Sequence, residues 1–426
     1  MSMEFRTTPY WWETCAEPRG THDEPAERAD VVVIGSGYTG LSAAIEIARG
    51  GVSTIVIDAQ KPGWGCSTRN GGQISTSVKP DFDQLAATYD KTRARAILQE
   101  GHDALEWIKQ FVARENLDCD FKVPGRFHAA HSQRQFSKFA KLCDNQVAGL
   151  ETDAYVVDRS QQRAELGTDV YHGGIVFPKH ASVNPAKYHS GLLALSNSLG
   201  ADLVMDCKAL DIQRHSDGFS VETAKGTIKC SKVVVATNGY TGKITPWLRR
   251  RVIPIGSYVI ATDPIEPELM DRLMPRDRIV SDSRKVVYYY RPCPERKRII
   301  FGGRVSHNET DPSVSAPLLK RDLVAIFPEL ANHGLSHSWM GFVAYTFDTL
   351  MHVGNDNGLH YAMGYCGSGV GMASYLGMRM GQQVLGLEEG QTAFDHLPFP
   401  TRPLYYGTPW FLGASVAWYR FTDRFS

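Results

Sequence analysis

Three glycines at positions 35, 37 and 40 have the spacing G-x-G-x-x-G and directly follow an apolar, β-branched run at 31–34. The run predicts a buried parallel strand, and residues 41–49 predict a helix after the turn. In that setting Gly35 allows the tight turn, Gly37 lets a pyrophosphate approach the backbone, and Gly40 lets the helix pack on the strand. The helix N-terminus offers free N–H groups to the same phosphates. The spacing therefore predicts a dinucleotide-binding turn.

An acidic residue completes this βαβ unit. Residues 53–59 predict a second strand, and Asp58 lies near its end, 58 − 37 = 21 residues past the second glycine. A carboxylate at this position accepts hydrogen bonds from the ribose hydroxyls of the dinucleotide. An ordinary glycine-rich turn is the alternative, and the strand, the helix and the acid together argue against it.

Three further segments favour FAD over NAD. Residues 63–73 are small, polar and rich in glycine, so their backbone can run beside an extended ligand, although a plain surface loop has the same composition. Residues 232–239 predict a later apolar strand of the same sheet, which makes the nucleotide domain discontinuous. Residues 364–371 are again rich in glycine and precede a predicted helix at 372–387 whose N-terminus suits the electron-rich edge of a flavin. An NAD-dependent dehydrogenase would leave this last cluster without a purpose.

Composition excludes several other classes of protein. The chain has 426 residues, and its 46 Lys and Arg balance 46 Asp and Glu, which argues against a nucleic-acid partner. The eight cysteines form no C-x-x-C pair, so no metal site is predicted and reduced thiols are expected. No signal peptide and no apolar run of the ~20 residues needed to span a membrane is found. We expect a cytoplasmic protein without stable membrane insertion.

Several of these runs resemble the FAD-dependent D-amino acid oxidase-like oxidoreductases, a family that includes glycine oxidase and the sarcosine oxidases. The resemblance extends over nearly the whole chain, and its most specific run is Arg-Asn-Gly-Gly-Gln at residues 69–73. The other matching runs are at 10–11, 33–42, 119–121, 301–303 and 364–367.

The family resemblance implies an α/β fold. A discontinuous, Rossmann-like FAD-binding domain would comprise residues 28–85, 150–245 and 345–390. An α+β substrate domain, with an antiparallel sheet over the flavin, would comprise residues 86–149 and 246–344, and residues 391–426 would form a tail packed on the body. Residues 252–261, 286–291 and 298–303 have the β-branched and aromatic composition of strands, and the last two can pair as a hairpin.

The motifs and the resemblance together assign a set of residues to the cofactor, which we expect to be FAD bound without a covalent link. They are Gly35, Ser36, Gly37, Thr39, Gly40, Asp58, Ala59, Gln60, Gly65, Cys66, Ser67, Arg69, Asn70, Gly71, Gly72, Gln73, Ala209, Thr237, Asn238, Gly239, Gly364, Gly367, Ser368, Gly369 and Val370.

The substrate would lie between the flavin and the antiparallel sheet. We assign substrate or catalytic roles to Tyr258, Tyr289, Arg304 and Trp339. For each aromatic side chain, core packing is the alternative. Further candidates are Tyr288, Tyr290, Arg291, Arg126 and His128.

The resemblance implies hydride transfer from the carbon next to nitrogen to flavin N5, hydrolysis of the imine to an aldehyde, and reoxidation by O₂ with formation of H₂O₂. Enzymes of this family that oxidise simple α-amino acids carry an arginine for the substrate carboxylate in the segment that here spans residues 341–348, and no arginine is present. That departure favours an ω-amine, a γ-glutamylated amine or an aminoalkyl phosphonate as substrate. A dehydrogenase that passes electrons to another acceptor, an N-methyl amino acid oxidase and a noncatalytic binding protein remain alternatives.

Overall fold

A computed structural model describes residues 4–304 and 310–423 of the chain. The described residues form the α-helices α1 Tyr38–Arg49, α2 Phe82–Thr88, α3 Lys91–Arg114, α4 Gln133–Asp144, α5 Pro185–Ser198, α6 Pro246–Arg249, α7 Pro267–Leu273, α8 Pro312–Ile326, α9 Gly369–Leu385 and α10 Leu412–Thr422. The strands are β1 Val31–Ile34, β2 Thr54–Ile57, β3 Gln73–Ile74, β4 Arg126–Ala129, β5 Tyr155–Val157, β6 Gly174–Phe177, β7 Ala181–Ser182, β8 Asp202–Val204, β9 Ala209–His215, β10 Gly218–Thr223, β11 Gly226–Cys230, β12 Lys232–Val235, β13 Ile253–Thr262, β14 Ile279–Asp282, β15 Tyr289–Pro292, β16 Ile299–Gly303, β17 Leu335–Tyr345, β18 His352–Asp356 and β19 Leu359–Met363.

A six-stranded sheet with the order β18-β19-β12-β1-β2-β8 carries the dinucleotide motif. Its strands are parallel except for β18. Alternation along β1 sends Val31 and Val33 into the core with α1, α3, α5 and α9, while Val32 and Ile34 face the three-stranded sheet β9–β11. Burial on both faces explains why β1 is apolar at every position.

Helices α1 and α9 pack against each other through small residues. A Cβ atom on Gly377 would lie 2.4 Å from the backbone oxygen of Thr39, and one on Gly381 would lie 2.8 Å from that of Ala43. The two backbones can approach only because these positions lack side chains. This close contact brings the N-termini of both helices to the same edge of the six-stranded sheet.

An eight-stranded sheet with the order β17-β13-β16-β15-β14-β4-β6-β5 forms the second layer. One face packs on α8 through Tyr258, Tyr290 and Phe301. Since neighbouring residues of a strand point to opposite faces, Tyr289 and Gly302 lie on the other face, which meets the 63–73 segment. The pairing of β15 with β16 confirms the predicted hairpin.

The sheet memberships differ from the predicted domain boundaries in two places. β5 and β6 lie within residues 150–245 but belong to the eight-stranded sheet, because β6 pairs with β4. α3 lies within residues 86–149, yet Ile97, Ala104 and Ile108 are buried in the core of the six-stranded sheet. Long-range pairing and packing set both memberships, and local composition does not reveal them.

The C-terminal segment contacts the body and also exposes aromatic side chains. Phe394 is buried in the core, and the Tyr405 hydroxyl donates a hydrogen bond to the backbone oxygen of Val252. Trp410 and Trp418 remain more than half exposed.

Over residues 4–304 and 310–423, no helix combines the length and the apolar character that a bilayer crossing requires.

Candidate active site

The glycine turn has the close contacts that its spacing predicts. Gly35 has a φ of +109°, and a Cβ on it would lie 2.9 Å from the backbone oxygen of Ala236. A Cβ on Gly40 would lie 1.9 Å from the backbone oxygen of Gly35. Gly37 faces the 63–73 segment, where a Cβ would lie 2.9 Å from Ser67 Oγ. Side chains at these positions would close the turn to a phosphate group.

Asp58 lies at the end of β2, beside this turn. Its Oδ2 accepts hydrogen bonds of 2.8 Å from both the backbone N–H and the hydroxyl of Ser36, and its Oδ1 accepts one of 3.1 Å from the backbone N–H of Gln60. These bonds fix the carboxylate at the carboxyl edge of the sheet, where nucleotides bind in such folds.

The segment before β9 runs alongside the acid. The backbone N–H of Cys207 donates to the backbone oxygen of Asp58 at 2.7 Å, and that of Asp206 donates to Gln60 at 3.2 Å. The predicted residues Ala59 and Gln60 therefore lie beside the segment at 206–207, which leads into β9 and its first residue, Ala209.

Helices α1 and α9 both begin without a side-chain cap from the residue before them, although the first N–H group of α1, that of Tyr38, donates to the Ser67 hydroxyl at 3.0 Å. By contrast, Asp90, Ser132, Asn184 and Asp311 cap α3, α4, α5 and α8. Uncapped N–H groups need another acceptor, and phosphate oxygens or a flavin carbonyl can supply one. The donors and their positions fit FAD.

Residues 63–73 form a loop that three tryptophans hold in place, one of them being Trp12, whose indole N–H donates to the Thr68 hydroxyl at 2.7 Å. The indole N–H of Trp11 donates to the backbone oxygen of Asn70 at 2.9 Å, and that of Trp339 donates to Arg69 at 2.8 Å. The Asn70 side chain bonds within the loop, accepting from the backbone N–H of Gly72 at 2.8 Å. The three indoles are part of the rigid support of the loop.

The same loop contacts both layers of the molecule. The Arg69 guanidinium donates to the backbone oxygen of Met340 in β17. The Gln73 amide donates to the backbone oxygens of Val280 and Tyr290, at 3.2 Å each. Gly341 lets β17 approach, since a Cβ there would lie 3.1 Å from the Arg69 Cβ.

We infer that the substrate cleft lies between this loop and the eight-stranded sheet, at Tyr289. The Tyr289 ring packs against Gly71 and Gly302, where added Cβ atoms would lie 2.9 Å and 2.2 Å from it. The Tyr289 hydroxyl shares a 2.9 Å hydrogen bond with the Ser257 hydroxyl. Tyr345 closes one end, with its hydroxyl 3.8 Å from a Cβ built on Gly367 before α9.

The side chains of Tyr289, Cys66 and Tyr345 at this part of the cleft are uncharged at neutral pH, and the Arg69 guanidinium lies beside Cys66. Burial raises the pKa of Tyr289 to about 12 and that of the Cys66 thiol to about 11. Burial also raises the pKa of Tyr345. At the far side, burial lowers the pKa of His128 to about 3, and its Nδ1 shares a 2.9 Å hydrogen bond with Ser281 Oγ.

Comparison with known proteins identifies the family. The family model described as FAD dependent oxidoreductase (DAO) matches residues 30–383. This chain belongs to the DAO family of FAD-dependent oxidoreductases.

Two relatives match this DAO-family chain over most of their length. It is 30% identical to a probable oxidoreductase OrdL of Rhizobium meliloti (strain 1021), over 94% of this chain and 93% of the relative. It is also 30% identical to γ-glutamylputrescine oxidoreductase of Escherichia coli (strain K12), over 87% of this chain and 88% of the relative.

The predicted DAO-like fold is confirmed by the structural match. Glycine oxidase from Geobacillus kaustophilus superposes with a TM-score of 0.75, covering 89% of this chain and 99% of the oxidase at 17% identity.

Within this DAO-family fold, the four predicted substrate residues lie in different environments. Only Tyr289 lies in the cleft. Tyr258 is on the opposite face of the sheet, packed on α8, and its hydroxyl accepts from the backbone N–H of Thr310 at 2.7 Å, so a substrate role does not fit its position. Trp339 supports the loop. Arg304 follows β16 and donates to the backbone oxygen of Gly256 at 2.8 Å.

The remaining candidates divide by sheet face. Tyr290 is buried in the α8 core, and Tyr288 donates to Asp322 at 2.8 Å, so both point away from the cleft. Arg291 lies over the Trp11 ring and donates to the backbone oxygen of Val183 at 2.6 Å. Arg126 and His128 point to the cleft face.

Two cleft residues were missed by the sequence analysis. Tyr345 could have been found by alternation along β17, since it shares a face with Gly341. Lys79 follows β3 in an irregular segment, so no periodic pattern marks it.

The predicted cofactor residues of the C-terminal glycine cluster are held by hydrogen bonds to two other segments. The Asn238 side chain accepts from the backbone N–H of Gly364 at 3.0 Å, which ties the turn after β12 to this cluster. The Ser368 hydroxyl donates to the backbone oxygen of Ser77 at 2.6 Å.

Across the described parts of the chain, no group of three or more His, Cys, Asp or Glu is arranged to hold a metal ion.

Proposed function

We propose that this FAD-dependent oxidoreductase oxidises a C–N bond of a small amine. The observation that supports this most directly is that Tyr289, Ser257 and Tyr345, where we place the reacting amine, are uncharged side chains. Placing an ammonium group in such a cleft is unfavourable, so a bound amine loses its proton there. The neutral amine is the form from which a hydride can leave the carbon next to nitrogen.

Bound FAD would supply the redox chemistry by accepting that hydride at N5. The protein would hold the amine in position for this transfer. The Tyr289 hydroxyl, held by Ser257, can hydrogen-bond to the amine nitrogen, while Gly71 and Gly302 keep the Tyr289 ring in one orientation. The imine product hydrolyses to an aldehyde and an amine or ammonia.

The substrate we propose is an ω-amine or a γ-glutamylated amine. Gly341, Val343 and Tyr345, which share the cleft face of β17, include no basic side chain to clamp an α-carboxylate. The relative from Escherichia coli bears the name γ-glutamylputrescine oxidoreductase, which is compatible with such a substrate.

We propose that FAD is bound without a covalent link. Burial raises the pKa of Cys366 to about 11, so the group stays a thiol, and it donates to the backbone oxygen of Gly364 at 3.1 Å. A neutral thiol is a poor nucleophile toward the flavin. Acid precipitation of the protein should release all the flavin into the supernatant.

The test of the proposed function is anaerobic bleaching of the purified flavoprotein by a panel of amines. The panel contains γ-glutamyl amines, diamines, N-methyl amino acids, α-amino acids and aminophosphonates. Bleaching by one class supports amine oxidation and identifies the substrate group. A flavin-loaded protein that none of them reduces would refute the proposal.

The electron acceptor requires a separate measurement, and O₂ is the acceptor we propose. With the best amine, an oxygen electrode and a peroxide assay should report equal consumption of O₂ and formation of H₂O₂. Reduced flavin that persists in air and is reoxidised only by a quinone or an artificial acceptor would make the protein a dehydrogenase.

A further inference from the structure

Lys79 and Arg126 bring two positive charges to the cleft from different layers. Lys79 lies two residues past Ser77, whose backbone oxygen accepts the Ser368 hydrogen bond at the start of α9. Arg126 is the first residue of β4 and shares the cleft face of the eight-stranded sheet with His128. The two side chains influence each other, because the charge of Arg126 contributes to a lowered pKa of Lys79, after the larger effect of burial.

Neither side chain has a partner among residues 4–304 and 310–423. Within these ranges Lys79 and Arg126 form no side-chain hydrogen bond and no ion pair, and Arg126 Nε is buried without an acceptor. Two arginines near the same sheet have carboxylate partners. Arg278 pairs with Glu165 at 2.7 Å, and Arg284 pairs with Asp282.

Burying charge without a counter-ion is costly, and proteins normally avoid it by pairing. Lys79 is exposed by its surface area, yet the surrounding protein desolvates its ammonium group and lowers its pKa. The charge of Lys79 also contributes to the lowered pKa of His128, after burial and Arg126, so its side chain lies near the cleft face of β4. Burial lowers the pKa of Arg126 to about 10, so it remains charged at neutral pH.

The nearby histidines do not supply or cancel this charge. Burial lowers the pKa of His128 to about 3 and holds the pKa of His180 well below its usual range, so both rings are neutral. They can still donate or accept hydrogen bonds. The positive charge at this end of the cleft therefore comes from Lys79 and Arg126, and the two imidazole rings add none.

We propose that Lys79 and Arg126 bind an anionic group, a carboxylate or a phosphonate, that the amine substrate carries at a distance from its reacting C–N bond. This inference rests on the proposed function. β4 is two strands away from the Tyr289 strand β15, which at the usual strand spacing is roughly 10 Å. An extended chain of several atoms would join an amine at Tyr289 to an anion at Arg126.

The placement also makes the substrate a better counter-ion than the cofactor diphosphate. The phosphate-binding turn lies at the start of α1, beside Ser36 and Asp58, whereas Arg126 belongs to the eight-stranded sheet. The two cations would attract the acidic end of the substrate and, by the same field, favour the neutral form of its amine.

Three amines that differ only at the distal end test the inference: 5-aminopentanoate, pentylamine and 1,5-diaminopentane. Anaerobic reduction of the holoenzyme flavin should be most efficient with the carboxylate and least efficient with the diamine. Lys79→Met or Arg126→Met should lower the preference for 5-aminopentanoate over pentylamine by about 10-fold or more, since each charge-assisted contact is strong. Lys79→Arg should keep the preference, and so should Lys138→Met on the exposed face of α4.

A binding measurement makes the result independent of turnover. Pentanoate, which carries no amine, should perturb the flavin absorption spectrum of the holoenzyme in a saturable way, with a dissociation constant at least about 10-fold weaker in Lys79→Met. Sodium chloride at equal ionic strength controls for screening, and Arg126→Lys provides a conservative second variant. If no amine reduces the flavin, the proposed function fails, and pentanoate binding alone decides whether the pair takes an anion.

Two outcomes would overturn the inference. In the first, the wild type and both Met variants bind pentanoate equally well and show the same preference for the carboxylate substrate. In the second, the flavin midpoint potential falls in the Met variants while the carboxylate preference is unchanged. Lys79 and Arg126 would then act as counter-ions of the reduced flavin and would not bind the substrate.

Discussion

At the scale of single residues, the cleft depends on a few side chains whose direction is set by strand alternation. Tyr289 and Tyr290 are neighbours, yet one faces the loop of residues 63–73 and the other faces α8. Two tyrosines with the same chemistry therefore have different expected effects on the reaction.

Tyr289→Phe removes the hydroxyl that bonds Ser257 and keeps the ring between Gly71 and Gly302. We expect the flavin content to be unchanged and anaerobic flavin reduction to slow by about 10-fold, the usual effect of losing one positioning hydrogen bond. Tyr258→Phe is the matched control, since its hydroxyl lies on the opposite face, and its reduction rate should stay at the wild-type value. Equal rates in all three proteins would remove Tyr289 from the substrate site.

The burial of His128 predicts how the stability of the protein depends on pH. Burial lowers its folded-state pKa to about 3, below the ordinary value of 6.5, so its contribution to stability is complete above pH 6.5 and is lost as the pH falls toward 3. The free energy of unfolding should fall by at most about 1.4 kcal/mol per pH unit from this group. Melting curves at several pH values should show a weaker acid dependence in His128→Gln. An identical dependence would mean that other groups cause the acid loss.

At the scale of secondary-structure elements, the packing of α1 on α9 determines whether two helix N-termini meet the cofactor. Gly377→Ala would place a Cβ 2.4 Å from the backbone oxygen of Thr39, and the helices would have to separate. We expect a loss of stability of roughly 1–3 kcal/mol and weaker FAD binding. Thermal melting and FAD titration of the apoprotein measure both effects. Gly242→Ala, where no atom lies within 4 Å of the added Cβ, should change neither.

The elements near the dinucleotide were largely predictable from sequence because their signals are local. The predicted strand at 31–34 agrees with β1, and the predicted helix at 41–49 lies within α1. The glycine turn and Asp58 are joined by the backbone over about 20 residues, so their spacing alone constrains their geometry.

The rest of the site could not be derived in this way because long-range pairing assembles it. β14 pairs with β4 in parallel across more than 150 residues, and this pairing brings Ser281 beside His128. No local pattern reveals such a partner. For the same reason the sequence does not mark Lys79 as a cleft residue, and it does not show that β5 and β6 belong to the eight-stranded sheet. Tyr258 was misplaced by a single step of alternation, which the sequence left undecided.

At the scale of the whole molecule, the proposed cofactor site combines segments that are far apart in the chain. The turn at 35–40, the segment at 206–209, the turn at 237–239 and the cluster at 364–370 meet at one edge of the six-stranded sheet. A ligand that contacts all of them should stabilise the fold as a unit. Binding to the folded state alone raises stability by about 2.7 kcal/mol at a ligand concentration of 100 times the dissociation constant.

Adding FAD to the apoprotein should therefore raise its melting temperature, and the size of the rise should depend on Asp58. In Asp58→Ala the ribose hydroxyls lose their acceptor and Ser36 loses two hydrogen bonds, so FAD should give a much smaller rise at the same concentration. Asp81→Ala is the control, because Asp81 caps α2 and its loss should lower the melting temperature of apoprotein and holoprotein equally, leaving the rise caused by FAD unchanged. Differential scanning fluorimetry over a series of FAD concentrations measures these shifts. A rise in Asp58→Ala equal to that of the wild type would mean that the adenosine end of FAD binds elsewhere, and that the match between the β2 carboxylate and the ribose does not hold in this protein.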